Sequence, residues 1–184
     1  MPVLISMLRG VNVGAHNRIK MGELRAVYKS LKLEDPQTYV QSGNVIFRTK
    51  EKSLPKIAKN IQDAIEKKFR FRPEVILRTV DELRTAILAS PFADRSDLEP
   101  GKLLVTFLAA APPKDVHAAF DRFKDYPEEV HLKGRELYIY FPNGAGRSKL
   151  PWSSLEKLLK VTGTARNLNS VRKMLQMAEE LEKA

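Results

Sequence analysis

Residues 9–20, RGVNVGAHNRIK, are the part of the sequence whose residue types and spacing could do chemistry. They combine two glycines, two asparagines and three cations between an apolar run and a helical pattern. Exposed backbone N–H groups and cations beside a helix start attract anions. The candidate ligand-binding residues are Arg9, Gly10, Asn12, Gly14, Asn17, Arg18 and Lys20.

The spacing of this stretch matches no named phosphate motif. It lacks the Gly-Lys-Ser/Thr end of a P-loop and the G-x-G-x-x-G of a dinucleotide-binding turn. Two interpretations therefore stay open: an anion site, or a tight backbone path in which glycine and asparagine adopt positive φ.

A predicted hairpin supplies the second part of the candidate site. The segment QTYVQSGNVIFRT has two β-rich runs around Ser42 and Gly43, with Asn44 beside them. In a strand–helix–strand–strand order the hairpin tip lies at the same end as the first strand-to-helix loop. We therefore expect Ser42, Gly43 and Asn44 to approach residues 9–20, although a plain turn is the simpler interpretation.

The elements that must position these residues follow a repeated pattern. In the first half, VLISML reads as a strand, a helix starts at Met21, Ser53 caps a second helix, and PEVILR is a strand. Thr79-x-x-Glu82 is a capping box for a further helix. The second half repeats the order with the strand KLLVTFLA, a helix from about Lys114, a hairpin, a helix from Trp152 and the short strand TGTARN.

This order predicts an α+β protein with two ferredoxin-like βαββαβ units, antiparallel sheets and a C-terminal helix. We expect one unit over residues 1–92, a linker over 93–101 and a second unit over 102–184. The strand-to-helix connection needs only residues 110–113 in the second unit, so the first unit is about eight residues longer at residues 9–20. Long connections of this kind often bind ligands or carry catalysis.

Composition limits the classes of function. The chain has 184 residues and a net charge of +10, which favours anionic partners. It has no cysteine, and its three histidines lie in separate segments, so we expect no metal site and no cofactor. No signal peptide and no apolar run of membrane-spanning length is evident, so we expect a cytoplasmic protein without a membrane partner.

A second glycine-rich, cationic loop precedes the helix at Trp152. Its candidate residues are Gly144, Gly146, Arg147, Ser148 and Lys149. A solvated connector is the simpler interpretation, and the topology places this loop at the opposite end of its unit from the hairpin tip. Arg166, Asn167 and Asn169 complete this second set, and either asparagine could instead cap the last helix.

Four blocks, LRGVNVGAHNRIKMGELR, TYVQSGNVIF, LYIYFPNGAGRSKL and TARNLNSVRKMLQMA, resemble successive blocks of the DUF1697 family. The resemblance implies a pair of ferredoxin-like units of unknown function, with Gln41 among the matching positions. Leu168 departs from the pattern, since the family more often has Trp between the two asparagines. A ligand contact would be lost there if that ring stacks on a ligand, whereas Leu is an ordinary replacement if the position is core.

The leading hypothesis is a module that binds an anionic small molecule, such as a nucleotide-like compound, or nucleic acid. For nucleic acid we expect stacking aromatics on a sheet face, and Tyr138 and Tyr140 share one face. The alternative is a small metal-independent enzyme acting on a phosphorylated or carboxylated metabolite, with His16 or Ser42 near the bound anion. A third possibility is an adaptor that dimerises through an exposed sheet.

Overall fold

A computed structural model describes residues 1–184, and the chain divides into two compact units. Unit 1 comprises Met1–Arg84 and Lys173–Ala184, and unit 2 comprises Thr85–Arg172. Residues 93–101, the expected linker, lie within unit 2.

Unit 1 has a four-stranded sheet in the order β2-β3-β1-β4, with every neighbouring pair antiparallel. This is the strand order of a ferredoxin-like unit. Its strands are β1 (Val3–Leu8), β2 (Glu34–Tyr39), β3 (Asn44–Arg48) and β4 (Val75–Thr79). Its helices are α1 (Met21–Ser30) and α2 (Leu54–Phe69), and α3 (Val80–Leu88) follows β4.

The core of unit 1 forms where α1 and α2 cover one sheet face. Ile57, Ile61 and Ile65 recur at helical spacing on α2 and are buried. Tyr28 of α1 is also fully buried, and its hydroxyl lies 2.6 Å from the Ser6 Oγ. Burial raises the pKa of Tyr28 above its ordinary value, while the hydrogen bond to Ser6 opposes this.

Two predicted helix starts of unit 1 are confirmed. The Ser53 Oγ accepts a hydrogen bond from the Lys56 amide at 3.4 Å. At α3, the Thr79 amide donates to the Glu82 carboxylate at 2.9 Å, and the Glu82 amide donates to the Thr79 Oγ1 at 3.1 Å. These contacts are the reciprocal pair of a capping box.

Unit 2 repeats the same topology, with strand order β6-β7-β5-β8 and antiparallel neighbours throughout. Its strands are β5 (Leu103–Leu108), β6 (Glu129–Lys133), β7 (Glu136–Tyr140) and β8 (Gly163–Asn167). Its helices are α4 (Val116–Ala119) and α5 (Trp152–Leu159), and 3-10 turns occur at Pro100–Lys102, Phe120–Phe123 and Ala145–Arg147. The C-terminal helix α6 (Leu168–Lys183) begins in unit 2, and its residues from Lys173 onward belong to unit 1. The predicted α+β class, the two ferredoxin-like units and the C-terminal helix are confirmed.

The helix predicted from about Lys114 is much shorter than expected. It is one α-helical turn, Val116–Ala119, which continues only as the 3-10 turn Phe120–Phe123. Asp115 makes no side-chain cap at its start. The connection from β5 to α4 therefore spans residues 109–115, so the twelve-residue connection at 9–20 is longer by five residues and not by eight.

Tyr138 and Tyr140, the aromatic pair considered for base stacking, are buried. Tyr138 is 1% exposed and Tyr140 8%. The Tyr138 hydroxyl donates to the Ala86 carbonyl at 2.6 Å within unit 2.

Within unit 1, Arg48 donates to the Leu181 carbonyl, so the end of α6 packs beside β3. No helix is both long enough and apolar enough to span a bilayer.

Candidate functional site

The 9–20 loop is fixed at both ends by buried side chains. Val11 and Ile19 are 2% and 3% exposed and belong to the core of unit 1. Residues 13–18 between them are all exposed. The loop is thus an ordered projection with a solvent-facing tip.

Asn12 holds the two sides of the loop together and attaches it to the hairpin. Its Nδ2 donates to the Ile19 carbonyl at 3.0 Å and to the Gln41 carbonyl at 2.7 Å, while its Oδ1 accepts from the Ile19 amide at 2.9 Å. Its backbone adopts φ 56°, which asparagine tolerates better than most residues. Asn12 therefore shapes the loop, and both ends of its amide are used within the protein.

The tip of the loop is a small turn closed by Asn17. The Asn12 amide donates to the Asn17 carbonyl at 3.0 Å, and the Asn17 Nδ2 donates to the Gly10 carbonyl at 3.1 Å. Gly10 and Gly14 have φ 72° and 59°, yet a Cβ at either would meet no atom within 4 Å. Backbone conformation, and not close packing, therefore requires glycine at these two positions.

The hairpin turn packs directly on the end of β1, as the topology predicted. The Leu8 amide donates to the Gly43 carbonyl at 3.0 Å. Gly43 has φ 78°, and a Cβ there would lie 2.9 Å from the Leu8 Cβ. Asn44 is fully buried and donates to the Tyr39 carbonyl at 3.1 Å and the Ser42 Oγ at 3.0 Å. Gly43 and Asn44 thus build the turn that touches the loop.

The first turn of α1 lies at this end, and Gly22 and Glu23 in that turn are exposed. Its N-cap residue, Lys20, makes no side-chain hydrogen bond to the helix amides. Lys20 and Arg18 are exposed, and Arg9 is half-buried. We call residues 9–20, the first turn of α1 and residues 42–44 the loop site.

Arg25 adds a fourth cation that the sequence interpretation missed. Its Nη1 donates to the Thr38 Oγ1 at 2.5 Å, and its Nη2 would lie 3.8 Å from a Cβ on Gly22. The guanidinium therefore folds back beside the first turn of α1. The signal was the helical spacing of Gly22 and Arg25, which places both on one face. Glu23 in the same turn opposes this positive charge.

The other well-formed helices differ in how they begin. Side chains cap α2 and α3, as described above, and the Asn167 Oδ1 caps α6 by accepting from the Ser170 amide at 2.9 Å. Among helices of eight residues or more, α1 and α5 have no such cap. Both follow the glycine-rich cationic loops, and in α5 the Trp152 and Ser154 amides donate instead to the backbone carbonyls of Leu150 and Pro151.

A family model described as a protein of unknown function, DUF1697, matches residues 1–138. The chain belongs to the DUF1697 family. The DUF1697 match includes the whole loop site and ends before the loop at residues 142–149. No curated protein matches the sequence.

The fold is also found in a solved structure. The chain is similar to the conserved bacterial protein SP0830 from Streptococcus pneumoniae, with 20% identity and a TM-score of 0.68. The likeness covers 96% of this chain and 98% of that one. At this identity it supports the two-unit fold and no more.

The second loop of this DUF1697 protein lies at the end of unit 2 where β5 begins. Gly144 has φ 82°, and its amide donates to the Phe141 carbonyl at 2.9 Å. The Lys102 ammonium binds the Pro142 carbonyl at 3.2 Å and the Glu99 carboxylate at 2.7 Å, and the hydrogen bond to Glu99 raises the pKa of Lys102.

This loop lies opposite the hairpin tip of its own unit, as predicted. Gly146, Arg147 and Lys149 are exposed, and the Ser148 Oγ accepts from the Leu150 amide at 3.0 Å.

The residues after this loop have different environments. Arg166 is 8% exposed on β8 and donates to the Thr164 Oγ1 at 2.7 Å and the Ala165 carbonyl at 2.8 Å. Burial lowers the pKa of Arg166 to about 10. Asn167 is the α6 cap, Asn169 is exposed in the next turn, and Leu168 is 8% exposed, which makes it a core position.

The remaining candidates for chemistry are a metal site and the two possible catalytic residues, His16 and Ser42. No cluster of three or more His, Cys, Asp or Glu side chains could hold a metal ion. His16 is exposed at the loop tip, and the Ser42 Oγ accepts a hydrogen bond from Asn44.

Proposed function

We propose that this DUF1697 protein binds an anionic ligand at the loop site. The observation that carries the proposal is the start of α1, which has no side-chain cap and is flanked by cations. The cations are Arg9, Arg18, Lys20 and Arg25.

Two electrostatic contributions favour an anion at this position. First-turn amides of a helix point outward without intrahelical acceptors, and the helix dipole adds positive potential there. The cationic side chains add formal charge, and Glu23 subtracts from it. Because Asn12 and the buried Val11 and Ile19 already order the loop, little conformational entropy is lost on binding.

A phosphate or carboxylate group on a small molecule fits this arrangement best. A nucleic acid would have to be held through its phosphates, because Tyr138 and Tyr140 are buried and cannot stack on bases. Such binding would weaken steeply with salt. The small anionic ligand is therefore the leading form of the proposal, and the nucleic acid is the second arm of the test.

The test uses Gly22→Asp, which places a carboxylate in the anion position itself. A Cβ at Gly22 has room, since the nearest atom is the Arg25 Nη2 at 3.8 Å. The variant should gain about 0.5 kcal/mol of stability from the helix dipole. It should also lose affinity for inorganic phosphate, AMP and a single-stranded oligonucleotide, each measured by isothermal titration calorimetry.

Lys20→Ala is the second variant, and Lys52→Ala is its matched control. Lys20 neighbours the open helix turn, whereas Lys52 is exposed before α2, beyond the opposite end of β3 from the hairpin turn. Lys20→Ala should weaken binding about fivefold and Lys52→Ala hardly at all. Equal losses in the two variants, or unchanged binding in Gly22→Asp, would show that the chain's general positive charge and not the loop site holds the anion.

The enzyme alternative receives no specific support from the geometry. His16 is exposed at the tip, and Ser42 is engaged with Asn44 inside the turn. We therefore propose binding without a reaction.

A further inference from the structure

We infer that the groove between α1 and α2 is a docking site for an acidic amphipathic helix of a partner protein. The groove consists of two adjoining hollows of about 340 and 600 Å³. Leu31 and Asn60 line both, so the hollows form one continuous depression on the helical side of unit 1. It is separate from the loop site.

The floor of the groove is aliphatic. Val27 and Ile57 are 5% and 2% exposed, and Leu31 and Ala64 are partly exposed between the two helices. An aliphatic floor suits the apolar stripe of a helix, which is the usual ligand of such a groove. It offers no aromatic face on which a nucleic-acid base could stack.

Lysines rim the groove at both ends. Lys32, Lys50 and Lys56 line the smaller hollow, and Lys67 and Lys68 line the larger one. Of these five, only Lys56 forms an ion pair, with Glu51 at 2.6 Å.

The acidic side chains of the groove do not balance this charge. Glu51 is bound to Lys56, and Asp63 is bound to Lys59 and Arg72, each at 2.6 Å. Of the carboxylates that line the groove, this leaves Glu34 outside an ion pair, whereas four of the lining lysines are outside ion pairs. The rim is therefore complementary to an acidic partner.

The spacing of the lysines sets the size of the partner. Lys56 and Lys68 lie twelve residues apart on α2, which corresponds to about 18 Å along the helix. A partner helix of about three turns matches this length. It should have Asp or Glu near both ends and apolar residues at i, i+3, i+4 and i+7 between them.

The test measures fluorescence anisotropy of a synthetic, fluorescein-labelled peptide with this pattern, against a peptide of the same composition in scrambled order. The full chain should bind the patterned peptide about tenfold more tightly than the scrambled one. Ala64→Glu places a carboxylate on the floor and should weaken binding about tenfold. Circular dichroism verifies that this variant is folded.

Lys68→Glu gives a second variant that does not disturb the apolar floor. It should weaken binding about fivefold, whereas Lys114→Glu, the same charge change at an exposed position of unit 2, should not. Equal affinity for both peptides, or equal losses in the two lysine variants, overturns the inference. The inference is also overturned if the patterned peptide does not bind while an oligonucleotide or oleate binds in a way that depends on Lys68.

Discussion

Replacing Asn12 tests whether its side chain holds the loop site in place. Its amide makes three hydrogen bonds, two to Ile19 and one to the Gln41 carbonyl. Each such bond contributes about 1 kcal/mol, and because Asn12 is only half-buried, water recovers part of the loss. Asn12→Gly should therefore lower the free energy of unfolding by about 2 kcal/mol.

Asn12→Ala should cost more than Asn12→Gly, although both variants lose the same hydrogen bonds. The backbone at this position has φ 56°, and a Cβ in the left-handed region adds about 1 kcal/mol. Asn12→Ala should thus lose about 3 kcal/mol in total. Urea denaturation followed by far-ultraviolet circular dichroism measures both values.

The control is Asn17→Gly at the exposed loop tip. It removes one hydrogen bond, to the Gly10 carbonyl at 3.1 Å, and should cost about 0.5 kcal/mol. If Asn12→Gly is no less stable than this control, the Asn12 hydrogen bonds do not hold the loop. If Asn12→Ala and Asn12→Gly are equally stable, the left-handed conformation is not retained in solution.

Three further substitutions test the packing and electrostatics of unit 1. Gly43→Ala should lower the free energy of unfolding by about 3 kcal/mol, because the backbone has φ 78° and the new Cβ would lie 2.9 Å from the Leu8 Cβ. A free energy of unfolding, measured by urea denaturation, within about 1 kcal/mol of the wild-type value would contradict this. Tyr28→Phe should cost about 1 kcal/mol in the same assay by removing the 2.6 Å contact with Ser6, and a neutral result would mean that the pair contributes nothing net. Glu51→Gln should lower the thermal midpoint at neutral pH, since the hydrogen bond from Lys56 holds the native pKa of Glu51 at about 2 against an ordinary 4.5. That stabilisation is present above pH 4.5 and is lost as the pH falls through about 2, so the midpoints should converge on acidification and a constant gap would refute it.

The repeated fold was predictable because its signals are local. Periodic apolar residues gave the strands and helices, and Ser53 and the Thr79–Glu82 pair marked two helix starts that the structure contains. The approach of the hairpin to the loop followed from topology alone, and the bond from Leu8 to Gly43 shows it. Each of these inferences needed only nearby residues or the order of elements.

Features that depend on tertiary contacts could not be predicted in the same way. The sequence favoured a full helix after Lys114, but no side chain caps it at Asp115 and it lasts one turn. Tyr138 and Tyr140 do share one sheet face, yet the sequence does not show that both are buried. The spacing of Gly22 and Arg25 indicates a shared helix face, but the contact that holds Arg25 beside the loop site, with Thr38 of β2, is tertiary.

Val40, which precedes the hairpin residues of the loop site, illustrates the same limit. Seven residues other than glycine have positive φ, and Val40, at φ 51°, is the β-branched one among them. A β-branched side chain is costly in this conformation, and Val40 is 48% exposed, so burial does not compensate for it. The turn that bonds to Asn12 is therefore held by contacts from the loop and from Asn44, and not by the preference of its own first residue.

Comparison of the two units separates what the loop does for the fold from what it adds. In both units the last residue of the first strand binds the hairpin turn, Leu8 to Gly43 and Leu108 to Arg135. Unit 2 closes the same connection with seven residues, so the five additional residues of unit 1 are not needed to form the sheet. Ordering each residue costs about 1–2 kcal/mol, and the exposed tip buries little in return. The surplus residues are ordered at a net cost to stability, and what they provide is the set of cations and backbone amides displayed at the start of α1.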